Sequence, residues 1–344
     1  GGPTDVIHVF PYATGKGDGT SWTDAYTDFR EALTHLSTTR HTMWVSTNVL
    51  VSAVMDGETV QLPGCSIRIL GGFSGEEDDE TERIDGRVSS YDGADERSGL
   101  ELKFAAVADL TLHVERFRFA NCSGSGAMVF NAQKRQASTF EKCEFVRNGR
   151  KSTGDGAGIG LSVYEYFQTS GYGEANLRDC VFEDNIGNIQ TSNRYQFDFW
   201  HIQKPMTNLV FRRNTTTGPM IEMQKDVYLE PSANILFESN TCQRLLTLSQ
   251  GFCQLAAWGN TCSSELIAVN DSGARAYALE NMTLADNTAP VAIKVNTTAN
   301  AVRTQILNSI FWGNRTTAGA VTDSSVTIGS RILSVDHCCY EGSV

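Results

Sequence analysis

The sequence contains no run of 18 or more apolar residues, so nothing in it reads as a membrane-spanning helix. It has only 7 Pro and no long biased tract, which argues against a disordered chain. Charge is sparse at 20% of residues, and basic charge is the scarcer kind: 28 Lys and Arg stand against 40 Asp and Glu, for a net charge of −12. A surface of that sign repels phosphate backbones and anionic headgroups, so nucleic acid is not an expected partner. There is no Cys-x-x-Cys pair among the nine cysteines, and the six histidines are scattered, so the usual zinc spacings are missing. What remains is a chain rich in Gly, Ser, Thr and Asn with 40% hydrophobic residues, a mixture that favours strands and turns over long helices.

One short motif recurs: a large apolar residue, two variable residues, then Asn. It reads Phe145-Val-Arg-Asn148, Phe182-Glu-Asp-Asn185, Phe211-Arg-Arg-Asn214, Phe237-Glu-Ser-Asn240, Leu284-Ala-Asp-Asn287 and Phe311-Trp-Gly-Asn314, with a weaker copy ending Trp258-Gly-Asn260. The steps between these Asn residues are 37, 29, 26, 20, 27 and 27. Apolar and small residues alternate before each copy, and a second apolar run follows a few polar residues later, as in Met220-Ile-Glu-Met223 and Leu245-Leu-Thr-Leu248. The runs are too short for a helical repeat, and the steps too short for the four strands of a propeller blade. They fit the coil of an all-β, right-handed parallel β-helix, each coil stacked about 4.8 Å from the next. The inward Phe then forms an aromatic stack. Asn148, Asn185, Asn214, Asn240, Asn260, Asn287 and Asn314 form a structural ladder at a corner, where Asn tolerates the left-handed backbone of a sharp turn.

Residues 1–42 read as an N-terminal cap. Ser21 precedes Trp22-Thr23-Asp24, and Ala25, Phe29, Leu33 and Leu36 follow at helical spacing, so an amphipathic capping helix is expected over about 22–36. The β-helix is expected over 43–344, with loop insertions near 74–99, 150–177 and 186–207. The last residues, Cys338-Cys339-Tyr340 to Val344, read as the start of a further coil, as in one piece of a longer protein.

These segments carry a resemblance. Gly17-Asp-Gly-Thr-Ser-Trp22 with Asp24-Ala25-Tyr26, and Gly71-Gly72-Phe73-Ser74-Gly75-Glu76 with Glu82-Arg83, look like signatures of secreted pectate-lyase-like β-helix proteins. The Phe-x-x-Asn copies and Gly154-Asp-Gly-Ala-Gly158 are similar to repeats of chlamydial polymorphic outer-membrane proteins and related adhesins. The Gly-Gly-Ala-Ile element that accompanies each such repeat in those proteins is nearly absent. The resemblance implies the fold and an extracellular or cell-surface setting. It implies little about function, since the architecture hosts lyases, hydrolases, adhesins and structural proteins.

Candidate sites are few. Glu76, Glu77, Asp78 and Asp79 form an acidic run that could hold calcium, the one cofactor the residues suggest; a solvated loop is the competing reading. Tyr164, Tyr166, Phe167, Tyr172, Tyr195 and Trp200 in the insertions could stack on carbohydrate, although the alternation of Tyr195, Phe197 and Phe199 also fits a buried strand face. Cys242 with Cys262, and Cys143 with Cys180, stand at equal coil positions and are disulfide candidates, or stacked small thiols. Asn270, Asn281 and Asn296 are the glycosylation candidates; the sequons at Asn214 and Asn314 fall in the ladder. The acid-base sets of pectate lyases and polygalacturonases do not occur together. The sequence therefore points to a structural or adhesive extracellular protein whose partners are carbohydrate or other surface proteins. The alternatives are a polysaccharide lyase or glycoside hydrolase, and a filament subunit that self-assembles through its terminal coils.

Overall fold

The computed structural model describes residues 4–50, 59–97, 99–131, 136–149, 161–165, 174–187, 198–199, 206–223, 232–248, 252–271, 277–297, 304–322, 326–328 and 333–341. The chain divides into two compact units: residues 1–152 with 158–181, and residues 153–157 with 182–344. Every named strand pair is parallel, and each unit is built of right-handed β-helical coils.

In the first unit, one sheet stacks Val6–Val9, Thr42–Ser46, Ile67–Phe73, Thr111–Glu115, Ala137–Glu141 and the strand that begins at Glu174. A second row runs Val49–Leu50, Ser89–Asp92, Phe117–Ala120 and Glu144–Val146, and a third Val60–Gln61, Leu100–Lys103, Ala127–Asn131 and Leu161–Glu165. Two expected insertions thus contain regular coil: Ser89–Asp92 lies within 74–99, and Leu161–Glu165 within 150–177. Gly71 and Gly72 belong to the strand Ile67–Phe73 at a register slip against Thr42–Ser46. A Cβ on Gly71 would come within 2.3 Å of the Arg116 carbonyl oxygen, and Gly72 has φ +86, so the Gly-Gly pair is what lets neighbouring backbones close there.

The capping helix is shorter than its periodicity suggests. It spans Phe29–Thr34, with Asp28 as N-cap accepting from the Glu31 N–H at 2.8 Å. Ala25 and Tyr26 are not helical: Tyr26 bridges to Val9, donating its N–H to His8 and accepting from Phe10. Strand pairing takes the backbone groups that a first helical turn would need. Ala25, Phe29, Leu33 and Leu36 are nevertheless all buried, and the Phe29 ring lies 5.8 Å from that of Phe117. Ser21 caps only a turn, accepting from the Asp24 N–H at 3.1 Å.

In the second unit, Thr207–Arg212, Ser232–Glu238, Phe252–Trp258, Tyr277–Glu280 with Thr283–Ala285, Thr304–Leu307 with Ile310–Trp312, and Leu333–Asp336 with Cys339–Tyr340 form one sheet. Short corner strands Ile186–Gly187, Thr215–Thr216, Thr241–Cys242 and Thr261–Cys262 form another. The third stacks Asp198–Phe199, Pro219–Met223, Arg244–Leu248, Glu265–Asp271, Val291–Thr297 and Val326–Ile328.

The Asn ladder is present, and all seven residues are 0–1% exposed. From Asn185 to Asn314, the Oδ1 of Asn214, Asn240, Asn260, Asn287 and Asn314 each accepts from both the backbone N–H and the Nδ2 of the Asn one coil earlier, at 2.8–3.1 Å. Nδ2 also donates to a backbone carbonyl of the preceding coil, such as Phe182 from Asn214. In the first unit Asn148 accepts from the Cys122 N–H and donates to the Phe119 carbonyl, both at 3.0 Å. The left-handed corner, however, is not the Asn but the residue before it: Arg147, Asp184, Arg213, Ser239, Gly259, Asp286 and Gly313 have φ from 52 to 73. The fixed backbone turn leaves the Asn side chain pointing inward. A second left-handed column bends the first sheet at Arg116, Lys142 and Asp179, and at Asn208, Asn234, Gln254, Asn281, Asn308 and His337.

The expected aromatic stack is real but interrupted. Phe119 and Phe145 stack at 5.4 Å, Phe182 and Phe211 at 4.8 Å, Phe211 and Phe237 at 5.1 Å, and Phe311 and Tyr340 at 5.1 Å. Between Phe237 and Phe311 the inward places belong to Ala257 and Leu284. Each fully buried Phe contributes on the order of 2 kcal/mol by leaving water.

Candidate functional site

The acidic run does not converge on a metal position. Burial works against the Glu77 charge, but the Ser74, Gly75 and Glu76 N–H groups donate to its carboxylate at 2.7–3.1 Å and hold its pKa below the usual range. Asp79 caps the short 3-10 turn Glu80–Glu82, accepting from the Thr81 N–H, and the Asp78 N–H donates to Glu82. Glu80 makes a two-pronged ion pair with Arg68 at 2.6 and 2.7 Å. These groups fasten their own loop, and Trp22 Nε1 is tied to the Glu77 carbonyl. Among the described residues, no set of three or more His, Cys, Asp and Glu is placed to hold a metal ion.

The aromatic candidates Tyr166, Phe167, Tyr172, Tyr195 and Trp200 lie outside the described residues. Tyr164 is on the strand Leu161–Glu165, in register with Phe130. Cys242 and Cys262 are register partners, but as free thiols with Sγ atoms 3.6 Å apart, rather than a disulfide. Cys143 and Cys180 are likewise buried thiols donating to backbone carbonyls. Hydrogen bonding with Cys262 and then burial raise the Cys242 pKa; for Cys143 burial leads. Asn281 is exposed in the left-handed column, while Asn270 and Asn296 are register partners on neighbouring strands.

Two further clusters emerge from register alone. The first lies on the outer face of the first unit, where Arg68, His113, Thr139 and Asn176 occupy one column and Leu70, Glu115, Glu141 and Arg178 the next. His113 Nε2 sits 3.9 Å from Glu115 and 3.7 Å from Glu141, too far for a hydrogen bond. Glu115 meets Arg83 at 3.3 Å and Arg116 at 3.4 Å, and Glu141 meets Arg178 at 3.1 Å. Arg83 also covers the Phe73 ring at 5.1 Å. Burial lowers the His113 pKa, against the pull of the two carboxylates, and Nε2 itself is shielded from solvent.

The second cluster is apolar and lies on the outer face of the second unit. Register pairs Trp258 with Glu238, not with Phe237, so Trp258 does not occupy the inward place of the motif. The column runs Glu238, Trp258, Ala285, Trp312, with Thr283 and Ile310 two residues away on the same face. Trp258, Ile310 and Trp312 are 39%, 47% and 51% exposed, among the few large apolar side chains so placed. Their signal in the sequence is position: the residue two before the ladder Asn points outward, and a Trp there is presented to solvent.

No family model matches the chain, and no curated protein matches it. The resemblance to chlamydial adhesins therefore rests on the short motif alone. Among solved structures, the periplasmic alginate epimerase AlgG is similar at 11% identity and TM-score 0.28, over 88% of this chain and 74% of that one. The Dettilon tailspike protein is similar at 12% identity and TM-score 0.27, over 95% of this chain and 69% of that one.

Proposed function

We propose that this chain is an extracellular or cell-surface β-helix protein that adheres to a partner without transforming it. The observation carrying this reading is the Trp258, Ile310 and Trp312 face, an exposed apolar surface on a continuous parallel sheet. Apolar groups held rigidly outward cost solvation and serve contact. The rest of the notable chemistry is internal: the Asn amides, the thiols and the Glu77 carboxylate all bind neighbouring chain. A net charge of −12 favours neutral or basic partners.

A lyase or hydrolase reading has one observation in its favour, the approach of Glu115 and Glu141 to His113. Both carboxylates are already matched by arginines, which suits an ion network better than proton transfer. The test is to offer the purified chain a panel of immobilised and soluble polysaccharides, measuring retention, new reducing ends and unsaturated products. Saturable retention without turnover is expected. Turnover that is abolished by His113→Ala would replace this reading with the catalytic one.

A further inference from the structure

We infer that Trp258 and Trp312 form the two walls of a slot for one neutral pyranose ring of a glycan, with Ala285 as its floor. The inference rests on the adhesive reading and names its ligand. Trp258, Ala285 and Trp312 are consecutive register partners, so the two tryptophans stand two strand spacings apart, about 10 Å. A ring touching an indole on each face needs about 4 Å on either side, which leaves room for one saturated ring and not for two. The small Ala285 keeps the space between the indoles open, where any larger residue would fill it.

Polar groups stand beside both tryptophans, and one of them, Asp286, is on the coil of the floor. Each tryptophan is followed by a left-handed glycine, Gly259 or Gly313, and the missing Cβ admits a side chain from the coil before. The Asp286 Oδ1 occupies the place beside Gly313, 2.2 Å from where a Cβ would stand, and Ser239 Oγ lies 3.4 Å from the corresponding point on Gly259. Asp286 is exposed on the coil of the Ala285 floor, while Ser239, also exposed, and Glu238 lie on the coil before Trp258, behind that wall. Apolar faces with acceptors at the rim match a sugar, whose C–H face is apolar and whose hydroxyls lie at the edge. The Asp286 carboxylate at the floor, with Glu238 one coil further back, disfavours an anionic sugar.

The test uses the full chain and neutral gluco-, manno-, xylo- and galacto-configured oligosaccharides, read by intrinsic tryptophan fluorescence and by retention on an array. One of these is expected to shift the emission of the wild type. Trp258→Ala and Trp312→Ala are each expected to weaken binding at least about tenfold, the loss of one stacking face. Ala285→Phe, outward-facing and outside the core, is expected to abolish binding with the circular dichroism and melting temperature unchanged. Binding that survives all three substitutions would overturn the slot while leaving the adhesive reading standing. Absence of any neutral-sugar binding by the wild type would also overturn the slot, whereas the adhesive reading fails only with turnover or with no retention on any surface. A wild-type dimer that Trp312→Ala converts to monomer would overturn it too, by giving the face to a second copy.

Discussion

Asn260 uses every polar atom of its side chain inside the stack. Its Oδ1 takes two donors from Asn240 at 2.9 Å, and its Nδ2 serves the Phe237 and Trp258 carbonyls and Asn287 Oδ1. Replacing it with Ala strands the buried Asn240 N–H, leaves Asn240 Nδ2 with the Phe211 carbonyl alone and takes one of two donors from Asn287 Oδ1, and buried unmatched groups are costly. Asn260→Ala should destabilise by about 2–4 kcal/mol in urea unfolding. Asn281 sits in the other left-handed column and is exposed, so Asn281→Gly should stay within about 0.5 kcal/mol. His113 makes a different residue-scale prediction. Burial lowers its pKa below the ordinary 6.5, so the folded state resists a proton that the unfolded chain accepts. His8, enclosed by Trp22 and Trp44, is lowered for the same leading reason. Their stabilising effect is fully present above pH 6.5 and is lost as the pH falls from there toward the folded values. Melting temperature should therefore drop between pH 7 and 5, and His113→Asn should flatten that drop; an unchanged slope would remove His113 from the account.

At the scale of elements, the thiol columns and the cap give the sharpest tests. Cys122, Cys143, Cys180, Cys242 and Cys262 are buried, whereas Cys65 and Cys338 are half-buried and Cys339 is exposed. A thiol reagent should therefore modify Cys339 first, then Cys65 and Cys338, and reach Cys122, Cys143, Cys180, Cys242 and Cys262 only after denaturation, because these five are shielded from solvent. Peptide mapping of the labelled sites checks this, and early labelling of Cys242 would contradict it. Asp28→Ala removes the side-chain N-cap of the Phe29–Thr34 helix and should cost about 1 kcal/mol. These elements also mark where sequence reasoning succeeds. Phe-x-x-Asn is legible because one residue faces the core and another holds the coil beside it, so both constraints repeat at each turn. The helix over-reached because Ala25 satisfies apolar spacing while Tyr26 spends its backbone on strand pairing. The Trp face was missed for a related reason. Trp258 stands beside Ala257, and only the register to Phe237 reveals which of the two points inward. The Glu115, Glu141 and His113 cluster joins residues from separate coils, a proximity that local pattern does not encode.

Within the second unit as a whole, the ladder makes the coils a one-dimensional series in which each layer speaks to its neighbours. Asn240 and Asn260 bond each other directly, while Asn214 and Asn314 are separated by three intervening rungs. Substituting Asn260 removes the acceptor of Asn240 in the same step, so a later Asn240→Ala has fewer bonds left to break. The pair should be non-additive by about 1 kcal/mol or more, in the direction of a double variant less damaged than the sum. Asn214→Ala with Asn314→Ala shares no bond and should add within about 0.5 kcal/mol. Urea unfolding of the four single and two double variants provides both cycles. Equal coupling in the two pairs would mean that the unit responds as one body and that the amide ladder carries no nearest-neighbour information. Coupling confined to Asn240 and Asn260 would show that the buried amides, rather than the interrupted aromatic stack, transmit order from coil to coil, since Ala257 and Leu284 break the ring contacts over that same span.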